Sequence, residues 1–478
     1  MNEFSLYING SFKKSAASHQ VKSPYSGEPV TQVPLAGKEE IEEAVSSSLK
    51  AFQITRSLPS CRRVELLNTV KALMISNREQ LAQLIRNEAG KPITDARVEV
   101  DRAVLTVSIA AEEATRIGGE LMPLDIIPQN RGRFAITRRF PIGPILAITP
   151  FNFPLNLGMH KVAPALAAGN TVIWKPASQT PGCAFLFAEI FAEAAKKIDF
   201  PAEALSVLIA KSDLAESMAA DDRIAMLSFT GSAPVGWHLK SICGKKKTTL
   251  ELGGNGAVIV DEDTDLDYAV SRCITGGFGY AGQVCISVQR IFVHERIYAD
   301  FVNRLAEAAR ALVCGDPGKE ETQVGPVITE HDAERVLEWI DEARKQGATV
   351  RTGGARKGNV IEPVILENVK PGMKVCCCEV FGPLMTVSPF AEWEDAVNMV
   401  NDSEFGLQAG VFTSNIGRAF HAFHNIQAGG VMIGDVSTFR IDSMPYGGEK
   451  SSGQGREGLK YAVEEMTEPR LMTFNLRS

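Results

Sequence analysis

At 478 residues the chain is too long for one hydrophobic core, and a composition 45% hydrophobic and 22% charged excludes a disordered or fibrous protein, leaving a globular one of two or three domains. The formal charge of −7, with both signs interspersed, argues against a nucleic-acid surface, and no apolar run approaches the ~20 residues needed to cross a bilayer. Nine cysteines without regular spacing and the start Met1-Asn2-Glu3-Phe4, which lacks a secretory signal, predict free thiols in the cytoplasm, with neither a disulfide framework nor a metal site.

The first elements in chain order are a helical pair over residues 60–90. Val64, Leu67, Val70 and Met74, then Leu81, Leu84 and Ile85, recur near helical spacing, and Gly90-Lys91-Pro92 supplies the stop. From Gly143 short apolar runs alternate with helical stretches. Strands are expected at 145–149, 171–174, 205–209, 225–229 and 257–260, and helices at 161–168, 183–196 and 234–243. That alternation predicts an α/β fold with a mostly parallel, doubly wound sheet, whose ligands bind at the carboxyl ends of the strands. Asn152, Lys175 and the turn Phe229-Thr230-Gly231-Ser232 fall there. A second α/β region runs from Ala269 to about Val436, with strands at 287–293, 385–388 and 409–412. The tail 469–475 alternates like a terminal strand and is expected to pair with another subunit. There is no internal repeat.

Four short segments contain chemistry. Cys285, in Gly282-Gln283-Val284-Cys285-Ile286-Ser287, follows the glycine-rich stretch Gly276-Gly277-Phe278-Gly279; it reads either as a thiolate nucleophile that a substrate carbon can approach or as a buried small hydrophobe. Glu251, in Leu250-Glu251-Leu252-Gly253-Gly254-Asn255, is either a general base raised by burial or a carboxylate at an exposed edge. Asn152, fenced in by Pro150, Phe151, Phe153 and Pro154, is an oxyanion donor or a turn cap. The turn Phe229-Thr230-Gly231-Ser232-Ala233-Pro234 could admit a pyrophosphate to a helix N-terminus, although it is not the Gly-x-Gly-x-x-Gly fingerprint. Cys376-Cys377-Cys378 reads as structural thiols rather than a metal site.

Taken in order, Pro150-Phe151-Asn152-Phe153-Pro154, Trp174-Lys175-Pro176-Ala177, Phe229-Thr230-Gly231-Ser232, Leu250 to Asn255, Gly282 to Cys285, Glu379-Val380-Phe381-Gly382-Pro383 and Pro445-Tyr446-Gly447-Gly448 resemble the aldehyde dehydrogenase superfamily across nearly the whole chain. The resemblance implies Cys285 as nucleophile, Glu251 as base, and Asn152 with the Cys285 N–H as oxyanion donors. It implies NAD or NADP as cofactor, its riboses held by Lys175 and Glu379, Phe381 against the nicotinamide end, and the Phe229, Thr230, Gly231 and Ser232 turn near the pyrophosphate. Ser178 stands where NAD-selective relatives often carry a glutamate, which removes a charge that would repel a 2′-phosphate and points to acceptance of NADP.

The family's fold further implies a Rossmann-like cofactor domain over 1–123 and 143–250, a catalytic domain over 251–440, and oligomerisation segments at 124–142 and 441–478 that make a homodimer or homotetramer. The resemblance is nearest to the lactaldehyde and non-phosphorylating glyceraldehyde-3-phosphate branches, through Phe153 to Leu157, His160 to Pro164 and Arg440 to Pro445; succinate semialdehyde dehydrogenases share Lys175 to Pro181. The expected substrate is a small aldehyde with an anionic or hydroxylated tail, with Arg102 and Arg440 at the mouth of its pocket and His160 as a further contact. Both arginines also read as ordinary salt-bridge partners, Arg102 with Asp101 or Glu99 and Arg440 with Asp442. Uncharged Val284 disfavours a doubly charged tail. The chain departs from the family pattern at Cys378, where relatives often have an acid. A coenzyme A-acylating enzyme, a non-catalytic protein on the same scaffold and a cofactor-free thiol hydrolase are the alternatives. The first typically lacks the glutamate present as Glu251, the second would lose Cys285, Asn152 or Glu251, and the third leaves Lys175 and Glu379 without a purpose.

Overall fold

The computed structural model describes residues 1–476. Its first sheet has eight strands, with a parallel centre in the spatial order Lys247–Glu251, Met226–Thr230, Pro144–Ile148, Thr171–Lys175, Leu205–Val207. The first three of these strands in the chain advance one way from Pro144–Ile148, and the next two are laid on its other side. The winding therefore reverses between Pro144–Ile148 and Met226–Thr230, and at such a switch point the loops leaving the two carboxyl ends diverge and open a crevice. Those loops begin with Thr149 to Asn152 and with Gly231-Ser232. The antiparallel strand Gly453–Gln454 closes one edge and the hairpin Leu6–Ile8 and Ser11–Lys13 the other.

The second sheet has seven strands in the order Thr349–Thr352, Val364–Glu367, Leu384–Phe390, Val288–His294, Gly256–Val260, Gln408–Phe412, Gly430–Ile433, all parallel except the first. Strands such as Gly256–Val260 are buried on both faces, which is why they read as continuous apolar runs. The observed strands match the expected ones to within two residues at each end.

The helical pair is Ser60–Ser76 and Arg78–Ala89, ended by Gly90 at φ +67°, where a Cβ would also stand 2.6 Å from Pro326. The expected helix at 161–168 starts earlier, at Asn156, and is buried all round. Asn156, His160 and Lys161 are therefore polar groups inside a core helix and must find partners there.

The terminal strand Thr467–Asn475 pairs antiparallel along its whole length with Arg133–Pro141 of its own chain, with Leu121–Pro123 beyond it. The strand stands at the edge of this three-stranded sheet, with Arg133–Pro141 on one side of it. Of the expected segment 441–478, residues 477–478 lie outside the described residues. No helix among the described residues is long and apolar enough to cross a membrane.

Candidate active site

The loop after Pro144–Ile148 is fixed by charge. Lys91 and Glu99 are both buried and paired; the Lys91 ammonium also donates to the Asn152 carbonyl at 2.7 Å and lies 3.7 Å from the Phe153 ring centre, while Glu99 accepts from the N–H groups of Leu155 and Asn156. With its backbone held, Asn152 directs its side-chain amide across the crevice, where Nδ2 donates to the Gln283 carbonyl at 3.0 Å. The second N–H of that amide makes no hydrogen bond among the described residues.

Cys285 is reached through a strained turn. Tyr280, Ala281 and Gly282 all have positive φ (50°, 53° and 70°), and Gln283 locks the turn by donating to the Tyr280 and Pro326 carbonyls and accepting from the Ile328 N–H. Gly254 runs so close to this segment that a Cβ there would stand 2.2 Å from the Cys285 carbonyl, which accounts for the second glycine of its pair. The Cys285 sulfur lies 3.0 Å from the Tyr446 hydroxyl, and the Arg440 guanidinium sits 3.5 Å over the Tyr446 ring. Burial pushes the thiol up to about 11, against the pull of the Tyr446 hydrogen bond and of Arg440.

Glu251 ends the strand Lys247–Glu251, is 2% exposed, and has no hydrogen-bond partner among the described residues on either carboxylate oxygen. Burial, reinforced by the charge of Glu457, raises it well above the usual carboxylate range. Of the two sequence readings, the exposed edge is thus excluded. Glu457 is itself paired with buried Lys161 at 2.6 Å, and Lys161 also donates to the Ser228 hydroxyl.

Cys285 opens on a cavity of about 260 Å³ walled by Phe153, Leu157 and Tyr280, with Arg102, Arg272 and Arg440 on its lining. Arg102 forms a bidentate pair with Asp442 at 3.1 and 2.7 Å, and Arg440 reaches Glu457 at 3.4 Å. These pairings replace the sequence-based ones, because Asp101 is taken by Arg78 and Glu99 by Lys91. The Arg102 and Arg440 Nη1 atoms make no hydrogen bond among the described residues. His160 does not line the cavity: it is buried, meets Asp442 at 2.8 Å, and reaches the lining through Arg440 and, by way of Asp442, Arg102.

At the switch-point crevice, Lys175 ends its strand without an ion-pair partner among the described residues, and burial lowers its ammonium. Ser178 is exposed. The Thr230 hydroxyl is buried without a partner among the described residues, and Ser232 begins the helix Ala233–Ile242 with its own hydroxyl unused as a cap. The Phe229 ring is buried against Gly231, where a Cβ would meet it at 2.7 Å, and so packs beneath the turn. Glu379 accepts from the Gly254 N–H at 3.0 Å and is pushed up to about 7 by burial, and Phe381, at φ +48°, packs edge-on to Phe151. An unpaired cation, an orphaned hydroxyl and a helix N-terminus around one crevice fit a dinucleotide.

Sequence reasoning gave no role to Tyr446, Lys161, Glu457 or Arg272, and paired Asp442 with Arg440 rather than with Arg102 and His160. Tyr446 stands inside a motif quoted for the resemblance, and Lys161 could have been flagged as a lysine in an otherwise apolar helix.

The chain matches the model of the aldehyde dehydrogenase family over residues 12–472. It is 44% identical to the 3-sulfolactaldehyde dehydrogenase of Priestia aryabhattai over 477 residues, covering 100% of this chain and 99% of that protein. Among solved structures it is similar to aldehyde dehydrogenase 21 from Physcomitrella patens in complex with succinate, at TM-score 0.97 and 38% identity over 99% of this chain and 98% of that one. It is also similar to the glyceraldehyde-3-phosphate dehydrogenase GapN from Methanocaldococcus jannaschii complexed with NADP, at TM-score 0.93 and 38% identity over 96% and 99%. The protein belongs to the aldehyde dehydrogenase family, and is thus an oxidoreductase acting on aldehydes.

Proposed function

We propose that the protein oxidises a small aldehyde with a singly charged anionic tail, sulfonate or carboxylate, to its acid, with NADP or NAD as acceptor. The observation that carries this reading is the cavity that joins the Cys285 thiol to Arg102 and Arg440. Support for the tail comes from the 3-sulfolactaldehyde and succinate named for two relatives.

The residues divide the work by chemistry. Cys285, once deprotonated, adds to the aldehyde carbon, and the free N–H of Asn152 with the Cys285 backbone N–H receives the oxyanion, each such donor contributing about 3–4 kcal/mol. The bound nicotinamide supplies the hydride acceptor. Glu251, whose carboxyl burial raises well above the usual carboxylate range, takes in its ionised form a proton from the water that hydrolyses the Cys285 thioester. Lys175, Thr230, Gly231, Ser232 and Glu379 hold the dinucleotide, with Phe381 at its nicotinamide end. Residues 1–123 and 143–250 form the cofactor domain and 251–440 the catalytic domain. A cytoplasmic homodimer or homotetramer is the state we propose, supported by the exposed apolar side chains of Leu471, Met472, Phe420 and Phe423.

Two measurements test the specificity. Arg102→Met is expected to raise KM for 3-sulfolactaldehyde and succinate semialdehyde about 10- to 100-fold, the worth of one charge-assisted hydrogen bond, and to leave KM for propanal unchanged. An equal effect on all three would make Arg102 structural. Ser178→Glu is expected to shift the NADP-to-NAD ratio of kcat/KM toward NAD by about tenfold, the factor given by ~1.4 kcal/mol of repulsion at the 2′-phosphate. An unchanged ratio contradicts the placement of the adenosine ribose.

A further inference from the structure

The run Cys376-Cys377-Cys378 takes no part in the site described above, yet it ends one residue before Glu379. Residues Lys374–Cys377 form a single helical turn and Cys378 leaves it in extended geometry (φ −102°, ψ 159°), which puts the sulfurs of Cys377 and Cys378 3.8 Å apart, both half-exposed. The surrounding backbone is clamped. The Gln289 amide donates to the Val375 carbonyl at 3.1 Å and the Cys378 carbonyl at 2.7 Å and accepts from the Val380 N–H at 2.9 Å. Asn255 donates to the Cys376 carbonyl at 2.7 Å and Arg335 to that of Val380 at 2.9 Å. Glu379, between these clamps, rests on the Gly254 N–H in a seat so tight that a Cβ at Gly253 would stand 2.5 Å from its carboxylate.

We propose that Cys377 and Cys378 are a reversible oxidation site: a peroxide-class oxidant joins them as a vicinal disulfide, and closing that ring pulls the Cys378 carbonyl away from Gln289 and unseats Glu379. Two thiols and one peroxide give the disulfide and two molecules of water (one of water and one of alcohol for an alkyl peroxide). One thiolate attacks the peroxide oxygen to form a sulfenic acid, and the neighbouring thiol displaces water from it. Adjacent Cα atoms lie about 3.8 Å apart across a trans peptide, below the 4.4–6.8 Å usual for disulfides, so the ring is strained and readily reduced, as in labile rather than structural disulfides. Cys376 lies outside the pair, and burial pushes its thiol up against the pull of the Arg290 charge.

The effect on the cofactor rests on the reading of Glu379 given above, and the test separates the two. In a Cys285→Ala background, which removes oxidation of the active-site thiol, NADP affinity is measured by calorimetry before peroxide, after it, and after dithiothreitol. The peptide carrying residues 375–380 is expected to lose the mass of two hydrogens, the NADP Kd to rise about tenfold, and both to revert on reduction. Cys377→Ser is expected to bind NADP normally and to show neither change. Thiols that stay fully alkylatable after peroxide overturn the oxidation site. A disulfide that forms with the Kd unchanged, while Glu379→Gln weakens NADP binding, overturns the coupling. If Glu379→Gln itself leaves the Kd unchanged, the reading of Glu379 fails, and the mass shift alone decides whether the oxidation site exists.

Discussion

Glu251→Gln is expected to release one equivalent of reduced cofactor per active site and then to turn over about 10²- to 10⁴-fold more slowly than the parent, the usual worth of a positioned base. The substitution keeps the size of a side chain that is 2% exposed and has no hydrogen-bond partner among the described residues, so packing is preserved while the proton acceptor is lost. Cys285→Ala is expected to abolish both the burst and the slow phase. The pH dependence has a definite sign. Cys285, pushed up to about 11, and Glu251, raised well above the carboxylate range, both act after losing a proton, so the parent rate climbs with pH. In Glu251→Gln the burst still climbs, because it reports Cys285, whereas the slow phase no longer follows a carboxylate. Stopped-flow absorbance of the reduced cofactor measures both phases, and parental turnover in Glu251→Gln contradicts the assignment.

Lys161→Met is expected to lower unfolding free energy by about 3 kcal/mol, because it breaks the shorter of the two ion pairs of the buried Glu457 carboxylate and leaves only Arg440, at 3.4 Å, as counter-charge. Burial alone would push Glu457 up, but Lys161, His160 and Arg440 together hold it below the usual carboxylate range. A depressed carboxylate contributes stability that is present above its unfolded pKa and is lost as pH falls through the folded one. The parent should therefore lose this contribution only in strong acid, and Lys161→Met should lack that part of the acid dependence. Adding Glu457→Leu to Lys161→Met is expected to recover much of the loss, since an apolar pair can replace a buried ion pair. Denaturant unfolding of the single and double variants checks this, and a loss below about 1 kcal/mol in Lys161→Met means that Glu457 has other support.

The parallel strands were legible because a strand buried on both faces writes itself as an apolar run, as at Pro144–Ile148 and Gly256–Val260. The positions of Asn152, Lys175 and the Thr230–Ser232 turn followed from the strand ends alone. Roles that depend on distant partners were not legible. Arg102 and Asp442 are 340 residues apart in sequence and Lys161 and Glu457 are 296 apart, so no local pattern pairs them, and the expected local pairings with Asp101, Glu99 and Asp442 were wrong for that reason. His160 illustrates the same limit: a histidine on an apolar helix reads alike whether it faces a pocket or a buried carboxylate. The terminal strand shows it for the backbone, because alternation marks a strand at Thr467–Asn475 without saying that Arg133–Pro141 is its neighbour.

The central claim, that Cys285 carries the substrate as a thioester which Glu251 releases, is tested most directly by quenching Glu251→Gln in acid after mixing with aldehyde and NADP and taking the mass of the protein and its peptides. The account predicts a stoichiometric acyl adduct on the peptide containing Cys285, absent without NADP and absent in Cys285→Ala. An unmodified Cys285 in protein that has already produced reduced cofactor would contradict it, as would an acyl group on any other residue.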